Sequence, residues 1–314
     1  MKKILLLICI IGLFTPATLH AQDRANVFRH GKLDNGLTYY VRHTSMQPGK
    51  ADFYLVQNVG ALMEEDNQNG LAHFLEHMAF NGSESFKEGI PNFLKRRGVT
   101  RFNAQTGQDE TVYYMTAIPT NDTKLLDSCL LVMKDWSGFL LLKPDEIDKE
   151  RGVIREERRM RRNLGARLKE QSDPLVFNNS KYATRNVIGS EKIINNFTPE
   201  ELRAYYNDFY RPDLQAVIVV GDIDAAKIET EIQHLFNPIP KRKNPKPRLV
   251  YEIPDNSEPF YTKVFDKEMT ESSITLLKRV RQTPPASLKE MMKENLINLF
   301  YNQIVEKYPQ KKTV

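Results

Sequence analysis

The chain has 314 residues, with 45 Lys and Arg against 40 Asp and Glu, a formal net charge of +5 and 40% hydrophobic residues. Charge this mild and evenly mixed argues against nucleic-acid binding, which needs a one-signed patch interleaved with aromatics. The length permits one large core and part of another, and two cysteines, Cys9 and Cys129, leave little scope for disulfides.

Met1-Lys2-Lys3 followed by the short apolar run Ile4 to Phe14 reads as a secretory signal peptide over residues 1–21, ending at Ala21. The run is too short to cross a bilayer, and no later stretch is apolar for long enough. The expected mature protein is soluble, periplasmic or secreted, and retains only Cys129, a small core residue of an amphipathic helix. Val27 to His43 alternates around Asn35-Gly36, a hairpin signal. Ala51 to Val59 reads as a strand with Phe53, Leu55 and Gln57 on one face and Asp52, Tyr54 and Val56 on the other. Helices are expected at Gln68 to Phe80 and Phe86 to Arg97, and a strand pair around Gly107 at Thr100 to Ala117.

Lys124 to Phe139 is helical by periodicity, and the charged stretch from Pro144 to Leu175 reads as a long helix. Its run Arg155 to Arg162, broken by Glu156 and Glu157, is a solvated face. Pro199 to Phe209 is a helix, Ala216 to Val220 a buried strand, and Ala225 to Phe236 a helix. Strands and helices mix without regular alternation, which favours an α+β fold. The first domain is placed at 22–238, and residues 239–254, proline-rich and basic, read as a linker. Beyond it, Phe260 to Leu276 suggests strands and Ser287 to Lys307 a helix.

The chemistry concentrates in His73-Phe-Leu-Glu76-His77. On a helix, positions i and i+4 lie on one face with i+3 beside them. His73 and His77 can therefore grip one metal ion, with Glu76 facing the position of a water to be activated. A surface helix can carry such residues by accident. The run is otherwise apolar, however, and buried ionisable groups without partners are costly. Two histidines leave zinc short of a third protein ligand. Glu150 and Glu157, seven apart on one face of the charged helix, are the candidates. Each can instead pair with neighbouring Arg or Lys, and spacing alone does not choose between them.

HFLEHMAFNGS, followed about eighty residues later by ERGVIREE, resembles the pitrilysin/insulysin family of zinc metallopeptidases, the HxxEH inverzincins. Asn103-Ala104-Gln105-Thr106 through Asp109, Thr111 and Tyr113 matches a further element of that family. The resemblance spans roughly Val27 to Pro240. It implies a mostly antiparallel sheet with helices packed on one face, and a second, similar domain, of which residues 255–314 would be an incomplete start. It implies Zn2+ on His73, His77 and Glu157, with Glu76 as general base and Glu150 supporting the site. It implies that the strand holding Asn103 and Ala104 pairs with an extended peptide substrate, although a turn or surface amide is the plain reading of Asn103. It also implies a C-terminal half or partner subunit that completes a chamber, so that activity of this chain alone is in question.

The expectation is therefore an exported zinc metalloendopeptidase. Two rivals stand beside it. A non-catalytic scaffold or partner subunit of the same fold typically loses motif residues, and all of them are present here. A periplasmic metal carrier needs ligands but no base, which leaves Glu76 without a purpose. Neither a GxSxG nucleophile motif nor a glycine-rich phosphate loop occurs.

Overall fold

Alternation along the strands decides which way the sheet is covered. In β3 (Lys50–Gln57), residues 51, 53, 55 and 57 are buried and those between them only half-buried. The same period of two runs through β5 (Thr111–Pro119) and β6 (Gln215–Gly221). A sheet with one face fully buried has its helices on that face. The computed structural model, which describes residues 28–281 and 285–307, has this arrangement. The expected leader at 1–21 lies outside the described residues. The chain divides into two compact units between Met269 and Thr270.

The first unit holds a six-stranded sheet in the order β1-β2-β6-β3-β5-β4, with β1 at Phe28–Lys32, β2 at Thr38–His43 and β4 at Phe102–Thr106. All neighbours are antiparallel except β2 and β6, which run parallel. The hairpin of β1 and β2 turns at Asn35-Gly36, as its sequence predicts. Buried Asn35 also donates to the Phe236 and Ile239 carbonyls, which ties the turn to the far end of the unit.

The helices are α1 (Leu71–Met78), α2 (Ile90–Arg96), α3 (Thr123–Gly138), α4 (Pro144–Arg161), α5 (Leu164–Val176), α6 (Lys181–Thr184), α7 (Glu191–Asn196), α8 (Pro199–Phe209) and α9 (Ala225–Phe236). The last two begin and end where periodicity places them. A capping box at Thr198 and Glu201 starts α8, and the Asp224 side chain caps α9. Helix α1 is shorter than its pattern suggests, because Gly70 just before it takes a left-handed conformation. The long charged helix is in fact two. Asn163 turns its side chain onto the Ala166 N–H and becomes the cap of α5, competing locally with continuation of α4. The short helices α6 and α7 carry no clear period and escape sequence reading.

Trp136 of α3 sits at the centre of the core. It stacks on Tyr113 of β5 with ring centroids 5.4 Å apart and meets Phe80 edge-on at 6.1 Å. Its indole N–H donates to the Ala79 carbonyl at 2.9 Å, at the C-terminal end of α1. The core therefore holds one end of the motif helix directly.

Residues 260–276, expected as strands, form no ladder. A strand needs a neighbour to satisfy its backbone groups, and none is present among the described residues. The chain from 246 to 268 is held by side chains instead: Lys246 to Glu65, Arg248 to Asp109, and Arg167 to Asp266 and Glu268. The second unit contains α10 (Leu288–Lys307), a helix where the sequence predicts one.

Replacing Trp136 with Ala removes a fully buried ring and the bond to Ala79. The expected cost is about 3–5 kcal/mol, read as a lower urea midpoint with an unchanged denaturant slope.

Candidate metal centre

The first requirement of the site is a motif helix fixed at both ends. Its first N–H groups have no partners within the helix. Glu64, fully buried, reaches them from the preceding loop. It accepts from the Ala72 N–H at 2.9 Å, the Gly70 N–H at 3.0 Å and the Asn69 side-chain amide at 3.1 Å. Gly70 and Gly189 touch backbone to backbone, both at positive φ. A Cβ on Gly70 would lie 2.7 Å from the Gly189 Cα. Only glycine allows both the conformation and the approach, so the loop before α7 is locked against the start of α1.

On the helix so fixed, His73 is buried and His77 partly so, their rings edge-on with centroids 4.7 Å apart. Helix α4 packs beside α1 and brings in both candidate glutamates. Their roles separate by geometry. Glu157 Oε2 lies 3.1 Å from His77 Nε2 and 3.6 Å from His73 Nε2. Glu150 Oε1 lies 2.8 Å from the other ring nitrogen of His77, Nδ1. A carboxylate accepts, so Nδ1 donates, and the neutral ring then presents a bare lone pair at Nε2. Glu156 pairs with Arg159 on the exposed side of the helix, in keeping with the solvated face read over Arg155 to Arg162.

The donor atoms of His73, His77 and Glu157 all lie within 4.8 Å of one another. Glu157 Oε2 is buried and accepts no hydrogen bond. Its other oxygen, Oε1, is held by Arg161 in an ion pair one turn along α4. Two lone-pair nitrogens and a carboxylate oxygen facing one point repel unless a cation lies between them. For ligands about 2.05 Å from a tetrahedral ion, donor atoms stand about 3.3 Å apart, and the two nitrogen–oxygen separations bracket that value. The residues fit a zinc-type ion in donor chemistry and in spacing.

Titration points the same way for the deepest ring. Burial pushes His73 down to about 3, with His77 and Arg161 adding to the effect, so it is neutral at ordinary pH and free to ligate. Burial opposes charge on His77 too, but Glu150, Glu157 and Glu76 outweigh it and raise its pKa. Burial raises the Glu76 carboxyl, against the pull of a hydrogen bond from Thr106.

Glu76 is buried and faces β4. The Thr106 hydroxyl donates to Glu76 Oε2 at 2.6 Å. Strand β4 is an edge of the sheet and pairs, among the described residues, with β5 alone. Asn103 is exposed on it opposite Tyr114, and Ala104 is buried opposite Tyr113. Glu64 and Thr106 are the contributors that sequence reasoning passes over, whereas the pairing of Glu157 with a neighbouring arginine is found at Arg161. Thr106 lay within the matched Asn103 to Tyr113 segment. Glu64 had only the weak signal of an acid just upstream of a helix start.

Residues 39–172 match the family described as Insulinase (Peptidase family M16), and residues 196–308 match the Peptidase M16 inactive domain. The chain is 34% identical to a probable zinc protease PqqL of Haemophilus influenzae over 231 residues, covering 72% of this chain and 25% of that protein. It is 31% identical to the probable zinc protease PqqL of Escherichia coli, covering 87% and 30%. Against the crystal structure of the first half of the E. coli periplasmic protease PqqL, the TM-score is 0.68 at 31% identity, over 74% of this chain and 49% of that one. Pitrilysin shares the fold, with a TM-score of 0.61 at 20% identity, over 72% of this chain and 24% of that one. The chain thus spans between a quarter and a third of the length of these two curated relatives.

Burial pushes the Glu64 carboxyl up from 4.5 to about 8, partly offset by its three N–H donors. A group raised in the folded state binds a proton that the unfolded chain has already released. Stability is therefore expected to fall as pH rises through the window from 4.5 to about 8. In Glu64→Gln that slope is expected to flatten, as measured by urea denaturation across the window.

Proposed function

Because this chain belongs to the insulinase (M16) family of peptidases, we propose that it forms the zinc-binding, base-carrying part of an exported metalloendopeptidase that hydrolyses peptide bonds. The observation that carries the proposal is the convergence of His73 Nε2, His77 Nε2 and Glu157 Oε2 on one point. Names of relatives support it, since the PqqL proteins are called zinc proteases. Export rests on the leader read in residues 1–21 and on the periplasmic description of the E. coli relative. Among the described residues no helix is long and apolar enough to cross a membrane.

In this reading His73, His77 and Glu157 hold the zinc. When bound, the metal supplies Lewis acidity, which acidifies water and polarises a carbonyl. Glu76 takes a proton from the attacking water and returns it to the leaving amine. Its Oε2 is engaged by Thr106, which leaves Oε1 for the transfer. Glu150 fixes the His77 ring through Nδ1, so that Nε2 is the ligating atom. Arg161 draws Oε1 of Glu157 outward and leaves Oε2 to the rings. Asn103 and Ala104 sit on the free edge of β4, where an extended peptide can add as a further strand.

The described chain supplies one wall of such a site. The crystal structure of E. coli PqqL is matched over 26% of its chain, and that of its first half over 49%. We assign the remaining wall to a C-terminal half or partner subunit. Residues 22–238 then form the catalytic domain, 239–254 the connection and 255–314 the beginning of a related second domain.

The test pairs metal analysis with cleavage of a quenched peptide library, with and without a full-length C-terminal half. Glu76→Gln is expected to keep zinc and lose at least about 100-fold in hydrolysis, whereas His73→Ala loses zinc. Equal rates in wild type and Glu76→Gln would remove the general-base assignment. Zinc at 100 times its dissociation constant is expected to stabilise the wild-type fold by about 2.7 kcal/mol. Glu157→Ala should gain far less in the same thermal melt.

A further inference from the structure

We propose that Thr106 is a positioning residue for Glu76, clamping the base from the edge strand on which a peptide would lie; this rests on the peptidase reading above.

The geometry is specific. The Thr106 hydroxyl is 2.6 Å from Glu76 Oε2, thirty positions away in sequence. Glu76 is 8% exposed, so water does little to satisfy that oxygen. His77, Glu157 and Arg161 all act on the carboxylate electrostatically. Left unclamped, it can swing toward Arg161 and away from a line of proton transfer. The clamp itself stands on rigid ground. Thr106 lies opposite Thr111 in the β4–β5 ladder. The next residue, Gly107, bonds to the Glu110 carbonyl at 2.7 Å, and its own carbonyl accepts from the Ala61 N–H at 3.1 Å. Thr111 in turn donates to the Val59 carbonyl at 3.0 Å. A β-branched side chain also has few χ1 states to choose from, so the hydroxyl is delivered in one place. Thr106 is three residues along β4 from Asn103, so the strand proposed to seat the peptide also orients the base.

Two measurements on the full chain decide this. In metal-free protein carrying 13C-labelled glutamate, the Glu76 carboxyl signal is assigned by its loss in Glu76→Gln. Thr106→Val, nearly isosteric but without the hydroxyl, should shift that signal, and Thr106→Ser should return it to the wild-type position. In zinc-loaded protein, Thr106→Val should lower kcat by about tenfold or more with KM within about twofold. Zinc content should not change, melting temperature should fall modestly because the buried carboxylate loses its hydroxyl partner, and Thr106→Ser should recover that fall and most of kcat. An unshifted signal in Thr106→Val, or a loss confined to KM, overturns the proposal. A wild-type chain that binds zinc but cleaves no peptide, even with the C-terminal half added, counts against the peptidase reading. The labelled-carboxyl result then decides the role of Thr106 by itself.

Discussion

Three electron-pair donors aimed at one point set the terms for this molecule. His73 Nε2, His77 Nε2 and Glu157 Oε2 stand close together, and the oxygen is buried without a hydrogen bond. Donors in that arrangement repel, and a buried carboxylate oxygen without a hydrogen bond is costly. Nothing in the donor set relieves that cost except a positive charge at their focus. A proton on His77, whose pKa the neighbouring carboxylates raise against burial, would serve Glu157 but leave the deeper ring, which burial keeps neutral, without a partner. A divalent ion satisfies all three donors at once. The surrounding structure can be understood as what is needed to hold the donors against their mutual repulsion.

That holding is distributed across distant parts of the chain. Glu64 and the Gly70–Gly189 approach fix the start of α1, and Trp136 holds the carbonyl just past its end. Asp135, adjacent to Trp136 and itself buried, accepts from Ser83 and Ser85 and so anchors the loop that leaves the motif helix. On α4, Glu150 and Arg161 restrain one atom each of His77 and Glu157. The carboxylate that takes no part in ligation, Glu76, is restrained by an edge strand instead. The restraints on His77, Glu157 and Glu76 each act on a single atom. Preorganisation of this kind lets a site keep its geometry without rearranging when charge develops.

Much of this was legible in residues alone. The period of two in β3, the Asn35-Gly36 turn and the apolar periods of α8 and α9 reported their elements directly, because each is a local property. The pair of histidines was equally readable, since a helix fixes the relation of i to i+4. Limits appeared wherever the deciding contact was not local. The break at Asn163 depended on one side chain turning back on its own backbone. Residues 260–276 have strand-like composition but no neighbour to pair with among the described residues. Glu150 and Glu157 share a helix face, and only the packing of α4 against α1 assigns one to Nδ1 and the other to Nε2. Thr106 and Glu64 were invisible as site residues because their partners lie across the fold or around a turn.

The sequence by itself determined the helix carrying His73, Glu76 and His77, the α+β class and the kinship to a peptidase family, since these rest on short-range periodicity and on motifs of fixed spacing. Tertiary structure alone decided which ring nitrogen each glutamate faces, and which hydroxyl meets Glu76. It also decided that β6 lies between β2 and β3, parallel to the first. The physical reason is that these relations depend on how separate elements pack. Packing is settled by the fit of buried surfaces over the whole core, and no spacing along the chain encodes it.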